Sequence, residues 1–132
     1  MNGPNHVHTA ANAVPPLDDE LAGRLEDLDG IHAGIDLIRD GIRLLALDRH
    51  TIDRTQTVIA GLAGGADGTN LVATIGYLIA RLANSDSNPA LRTLPLDQQK
   101  DVQQAGEDAC RMLTDPYVHQ PAAEVCGAID GI

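Results

Sequence analysis

A heptad pattern of Ile and Leu extends over the first half of this 132-residue chain. Two series each recur every seven residues, and together they occupy the a and d positions of a heptad. The series are Leu21, Leu28, Ile35 and Ile42, and Ile31, Ile38, Leu45, Ile52 and Ile59. The spacing predicts helix over roughly 17–62. We expect a break near residues 48–51, because Thr51 can cap a new helix.

Four glycines lie within this pattern, although each costs about 1 kcal/mol relative to Ala in a helix interior. At about 100° per residue, all four fall within about 40° of one another, beside the heptad residues. Small residues on one side of a helix are typical of close approach by another backbone, although a genome that uses Gly freely is an alternative reason. The predicted interaction face consists of Gly23, Gly30, Gly34, Gly41, Ile31, Ile35, Ile38, Ile42 and Leu45.

The second half of the chain also has a helical pattern, without strand-like alternation. The Gly-rich stretch over 61–70 predicts a loop, with Thr69 or Asn70 capping the next helix. A stripe of large apolar residues then predicts the most buried helix, at the centre of a bundle, whose Gly76 could meet the glycines above. The stripe is formed by Leu71, Ile75, Leu78 and Leu82. After a further, polar-faced helix, Pro121 is expected to begin a short last helix.

These patterns predict an all-α protein: a small helical bundle of four to five helices with one long N-terminal heptad-patterned helix. Residues 1–15 are polar and predict a disordered tail, and residues 16–132 predict a single all-helical domain beginning near Pro15 and Pro16. The chain has neither a signal-peptide pattern nor an apolar run of the ~20 residues that span a bilayer. We therefore expect a cytoplasmic protein, and the Ala-, Gly- and Arg-rich composition suggests a bacterial source.

Charge and residue spacing exclude several kinds of chemistry. The formal net charge of -10 disfavours direct binding to nucleic acid or to anionic membranes. Cys110, His119 and Cys126 match no zinc spacing, so we expect no metal and no cofactor. We expect the two cysteines to be buried thiols, with a disulfide as the alternative. No set of catalytic residues is recognisable, so the chain is expected not to be an enzyme.

The expected function is that of a protein–protein interaction or structural protein whose partner is another protein or a second copy. Three further helices offer little surface to cover the predicted face, and a homodimer is the simplest way to bury it. The alternative is an acidic decoy that binds a basic, nucleic-acid-binding protein. Residues 17–48 carry nine acidic and three basic side chains, which is the basis for that alternative.

Overall fold

The computed structural model of the chain describes residues 13–65 and 70–131. Helices, turns and irregular segments make up these residues, and no strand occurs among them, so the predicted all-α class is confirmed. Internal contacts divide the chain into two units, Met1–His50 and Thr51–Ile132, which are treated separately below. The predicted tail lies outside the described residues as far as residue 12, and the single domain over 16–132 stays a prediction.

The N-terminal unit contains α1 (Asp19–Asp27) and α2 (Ala33–Leu47). The carboxylate of Asp18 accepts a hydrogen bond from the backbone N–H of Leu21 at 3.1 Å. This cap satisfies one of the free N–H groups at the start of the helix. The helix therefore begins at Asp19, three residues after Pro16, and not at the prolines as the sequence suggested.

The predicted long N-terminal helix is wrong, because α1 and α2 are separate helices. Gly30 lies between them with φ +76°, in the left-handed region, which ends a right-handed helix. His32 has extended backbone, and its ring accepts a hydrogen bond from the backbone N–H of Gly34 at 2.8 Å, which caps α2. The heptad spacing continues across this connection although the helix does not.

The C-terminal unit is built from four α-helices and two shorter turns. In chain order it contains α3 (Ile52–Ile59), a π-helical turn (Ala60–Gly64), α4 (Leu71–Leu82), a 3-10 turn (Pro89–Thr93), α5 (Leu96–Leu113) and α6 (Pro116–Asp130). Within this unit α4 packs on α5, and α3 and the π turn pack on α6. This packing of helices on one another agrees with the predicted helical bundle.

Side-chain caps fix where these helices begin. The predicted break before α3 is confirmed, because the Thr51 hydroxyl oxygen accepts from the backbone N–H of Arg54 at 3.1 Å. Asn70 caps α4 as predicted, by accepting from the backbone N–H of Ala73 at 2.9 Å. The predicted loop over 61–70 is wrong for its first part, since the π turn continues α3 to Gly64; residues 66–69 lie outside the described residues.

The last helix begins earlier than the sequence suggested. Asp115 caps it by accepting from the backbone N–H of Tyr117 at 2.9 Å, and Pro116 occupies the first position, where proline is tolerated. Pro121, which was expected to begin the helix, lies inside it. The Asp-Pro pair therefore separates α5 from α6 and also begins α6.

Small residues, and not the large ones, hold α4 against α5. Ala73 and Gly76 are the buried residues of α4. A Cβ atom added at Gly76 would lie 3.3 Å from the backbone of Cys110, and one added at Gly106 would overlap the Cβ atom of Ala83. Gly76 therefore meets α5, within its own unit. Of the helices described, α4 has the most buried residues, as predicted, but these are its small ones. The prediction that its large stripe faces the centre is wrong, because Leu78 is 46% exposed.

Two polar contacts tie α6 to the rest of the C-terminal unit. The ring of His119 is 6% exposed, and its Nδ1 and Nε2 lie 2.8 Å and 2.7 Å from the carbonyl oxygens of Ala63 and Leu113. Gln56 of α3 donates from its amide to the carbonyl oxygen of Cys126 at 2.9 Å. The Cys126 thiol lies 3.5 Å from the carbonyl oxygen of Gln56, so this contact runs in both directions.

The cap of α3 gives a first prediction. Thr51→Ala should lower the free energy of unfolding by about 1 kcal/mol, because the backbone N–H of Arg54 loses its acceptor. Urea unfolding followed by circular dichroism measures the change. Thr57→Ala is the matched control, since that exposed hydroxyl bonds only back to the carbonyl oxygen of Asp53. Equal losses in the two variants would show that the cap does not stabilise α3.

Candidate interaction surface on α2

The apolar side of α2 is open to solvent. None of the residues of this helix is buried, and Leu37 and Leu44 are 73% and 67% exposed. A group of apolar residues and glycines shares about 120° of the helix circumference, at about 100° per residue. We call this group the α2 face; it consists of Gly34, Leu37, Ile38, Gly41, Leu44 and Leu45. Contiguous exposed apolar surface of this kind is typical of interaction sites.

A groove between two ridges gives the α2 face its shape. Gly34 and Gly41 lie one above the other, seven residues apart, and form the groove. Leu37 and Leu44 form one ridge, and the two remaining members of the face form the other. A Cβ atom added at Gly41 would meet no heavy atom within 4 Å, and one at Gly34 would meet only the His32 ring. None of the described residues of the N-terminal unit therefore fills the groove.

Six of the nine residues predicted for the interaction face lie on α2, and four of the six belong to the α2 face. Those in the face are Gly34, Ile38, Gly41 and Leu45, while Ile35 and Ile42 lie beyond its edge. Gly23 lies on α1, and Gly30 and Ile31 lie in the connection before α2, so the four glycines do not form one stripe. The reason is the left-handed conformation of Gly30, which separates the two helices.

The most exposed residues of the α2 face were not among the predicted site residues. Leu37 and Leu44 lie outside the heptad a and d positions, and the large residues of the predicted face were taken from those positions only. The signal was present in the helical wheel, where both leucines flank the glycines on the side opposite the heptad residues. A face that includes the apolar residues on both sides of the glycines contains Leu37 and Leu44.

The opposite side of α2 carries a network of ion pairs. Arg39 bonds to Asp40 at 3.0 Å and also pairs with Asp29 and Asp36, and Arg43 pairs with Asp40 at 3.2 Å. Hydrogen bonds that the Arg39 guanidinium donates to the carboxylates of Asp40 and Asp29 raise the pKa of Arg39 above its ordinary value. The charged side chains on this side of α2 therefore pair with one another and with Asp29. The exposed apolar surface of the helix lies on the α2 face.

The C-terminal unit contains two cysteines and a cavity, which are the other candidates for a site. Cys110 and Cys126 are free, half-buried thiols. A cavity of about 180 Å³ is lined in part by Thr114, His119 and Gln120. All three side chains bond within the chain, the threonine hydroxyl to the carbonyl oxygen of Cys110 at 2.8 Å and the glutamine amide to the Glu124 carboxylate at 3.3 Å. The cavity thus lacks the converging free polar groups of a ligand site.

Across residues 13–65 and 70–131, no three His, Cys, Asp or Glu side chains come together in a way that could hold a metal ion. Among the helices described, none is both long enough and apolar enough to cross a membrane.

The fold and this surface define a class: an all-α protein with an exposed apolar helix face. Comparison with known proteins does not narrow that class, because the chain matches no family model, no curated protein and no solved structure. The α2 face is therefore the feature of this chain that indicates a function.

Proposed function

We propose that this chain is a self-associating helical interaction protein, in which the α2 face of one copy packs against the α2 face of a second. The observation that carries the proposal is the open groove at Gly34 and Gly41 beside Leu37 and Leu44, which are largely exposed. Glycine inside a helix has a cost in stability, and close packing of another helix offsets that cost.

A second copy fits this surface because the surface is complementary to itself. The ridge of Leu37 and Leu44 is convex, and the groove of Gly34 and Gly41 is concave. In a two-fold symmetric pair, the ridge of each copy enters the groove of the other, so every contact is made twice. No partner of a different shape is needed to fill the groove or to cover the ridge.

The exposed side chains of the α2 face agree with a small interface between two copies. Its exposed large residues are Leu37, Leu44 and Ile38, at 73%, 67% and 38%. Burying them against a second copy removes their apolar surface from water, which drives association. Three side chains cover less than the roughly 800 Å² per partner of a standard interface, so we expect a small one.

The ion pairs favour self-association over the acidic decoy. A decoy needs acidic side chains that are free to meet a basic partner. On α2, Asp36 and Asp40 are paired with Arg39 and Arg43 of the same helix, and Asp29 pairs with Arg39 as well. The two aspartates and two arginines of α2 balance, so this helix offers no net negative charge to a basic partner, and the acidic excess of residues 17–48 lies outside it.

The test is a substitution that fills the groove. In dilute solution we expect wild type at twice the chain mass by light scattering, and Gly41→Leu at the mass of one chain with its helical circular dichroism retained. A leucine there has free space in the single chain but not in the pair. Gly127→Leu on α6 is the matched control, because a Cβ atom there also meets nothing within 4 Å. If Gly41→Leu keeps the wild-type mass, the proposal fails.

A further inference from the structure

The buried ring of His119 has a hydrogen-bond acceptor at each of its two nitrogens. Nδ1 lies 2.8 Å from the carbonyl oxygen of Ala63, and Nε2 lies 2.7 Å from that of Leu113. A carbonyl oxygen only accepts, so each contact is a hydrogen bond only when that nitrogen carries a proton. A neutral imidazole carries one such proton, which leaves its other nitrogen facing an acceptor without a donor. Both contacts are satisfied only by the doubly protonated ring, the imidazolium.

Both carbonyl oxygens belong to the C-terminal ends of helical segments. Leu113 is the last residue of α5, and Ala63 lies one residue before the end of the π turn that continues α3. The C-terminal end of a helix carries partial negative charge, which favours a cation there. Burial of the ring, which is 6% exposed, opposes its charge. Two helix ends and two charge-assisted hydrogen bonds act together in favour of that charge.

No charged side chain bonds to the ring in the part of the chain that the structure describes. The π turn has no titratable residue, and the cavity beside the ring is lined by none except His119 itself. The other elements around the ring carry the following titratable groups: Asp53 and Arg54 on α3, Asp108, Cys110 and Arg111 near the end of α5, and Asp115, Tyr117, Glu124, Cys126 and Asp130 on α6 and its cap.

The nearest of these charged groups bond elsewhere. Arg111 pairs with Asp108 at 2.8 Å, and Asp115 accepts from the backbone N–H of Tyr117 at 2.9 Å. The Glu124 carboxylate accepts from the Gln120 amide at 3.3 Å. The two carbonyl oxygens are therefore the groups that decide the protonation state of the ring.

We infer that His119 is an imidazolium in the folded chain and that the packing of α6 on the C-terminal unit is therefore sensitive to pH. A histidine in an unfolded chain releases its second proton near about pH 6.5. Below that pH the ring is charged in both states, and the folded unit keeps both hydrogen bonds. As the pH rises, the unfolded chain releases the proton first, so the free energy of unfolding falls. This behaviour depends on the C-terminal unit alone and not on the α2 face.

The direct experiment follows the ring nitrogens of the wild-type chain by nitrogen-15 NMR between about pH 5.5 and 8. The two nitrogens of an imidazolium have similar chemical shifts, whereas those of a neutral ring differ widely, because only one of them carries a proton. We expect His119 to keep its second proton to a higher pH than His32 does. His32 is the internal control, because its Nδ1 accepts from the N–H of Gly34 and is unprotonated in that contact. If His119 loses its proton at the same pH as His32 or at a lower one, the inference is overturned.

Urea unfolding at two pH values tests the consequence for α6. Tyrosine fluorescence reports on the C-terminal unit alone, since the two tyrosines of the chain are Tyr77 and Tyr117. For wild type, the equilibrium constant of unfolding should rise about tenfold from about pH 6 to pH 8, which is the effect of one charge-assisted hydrogen bond. His119→Gln should lose this rise, because a glutamine amide does not titrate in this range.

The matched control for this variant is His32→Gln, which removes a histidine outside the C-terminal unit and should keep the rise. A rise in His119→Gln as large as in wild type would show that the ring does not make the packing of α6 depend on pH. Should His119→Gln fail to fold, the NMR titration of the wild-type chain decides between the two outcomes by itself.

Discussion

His119→Ala is expected to lower the free energy of unfolding of the C-terminal unit by about 3 kcal/mol. The imidazole ring is buried, and its two nitrogens lie within hydrogen-bond distance of the carbonyl oxygens of Ala63 and Leu113. These carbonyls lie at the ends of the π turn and of α5, where helix carbonyls have no partner within their own helix. Truncation leaves a cavity and removes the ring N–H that hydrogen-bonds to this backbone.

A second histidine provides the control for this prediction. His32→Ala removes an exposed ring that caps α2 through the N–H of Gly34, so its cost should be about 1 kcal/mol. Urea unfolding followed by circular dichroism compares the two variants. A loss in His119→Ala no larger than the loss in His32→Ala would show that the buried ring does not tie α6 to its neighbours.

Gly106→Ala is expected to lower the free energy of unfolding by about 2 kcal/mol. In an exposed helix the same change is stabilising, because Ala has the higher helix propensity. At Gly106 the added methyl group overlaps the Cβ atom of Ala83 and lies 3.6 Å from the Cα atom of Ala80. Ala80 lies on α4 and Ala83 is the C-cap residue that follows it. Neither has a flexible side chain that could turn away, so α4 and α5 must separate.

The matched control for Gly106 is Gly127, a glycine inside α6 whose added Cβ atom meets nothing within 4 Å. Gly127→Ala should raise the free energy of unfolding, by up to about 1 kcal/mol. The two substitutions are chemically identical, and thermal unfolding reports their opposite signs. Stabilisation in both variants would mean that α4 and α5 do not pack through their small residues.

The helical class of this protein is predictable from sequence, whereas the division of its first half is not. Heptad spacing indicates which residues share a helix side, and it continues from Leu21 to Ile59, with Arg49 and Gln56 at two of the a positions. The connection between α1 and α2 depends on one glycine in the left-handed region and on a histidine ring that caps the next helix. Such local backbone contacts leave no periodic signal, so the sequence suggested one break, near residues 48–51, where the structure has two.

The glycines show a similar limit. Sequence suggests close packing wherever glycines share a helix side, but it does not say which ones have a neighbour. In the structure Gly64, Gly76 and Gly106 approach other elements, whereas a Cβ atom added at Gly41 would meet none of the described residues within 4 Å. For the candidate surface, the helical wheel indicated the apolar side of α2, but the heptad positions do not include Leu37 and Leu44. Only exposure in three dimensions shows that these two residues are the most open.

The central claim is that a second copy covers the α2 face, and contacts between copies test it most directly. We would mix chains whose Leu and Ile methyl groups carry carbon-13 with unlabelled chains. An isotope-filtered NMR experiment then records only the nuclear Overhauser effects between a labelled and an unlabelled chain. The account predicts contacts from the methyl groups of Leu37 and Leu44 to the α-protons of Gly34 and Gly41 in the other copy. Contacts between copies that leave these methyl groups out, or a sample in which no contact joins two copies, would contradict it.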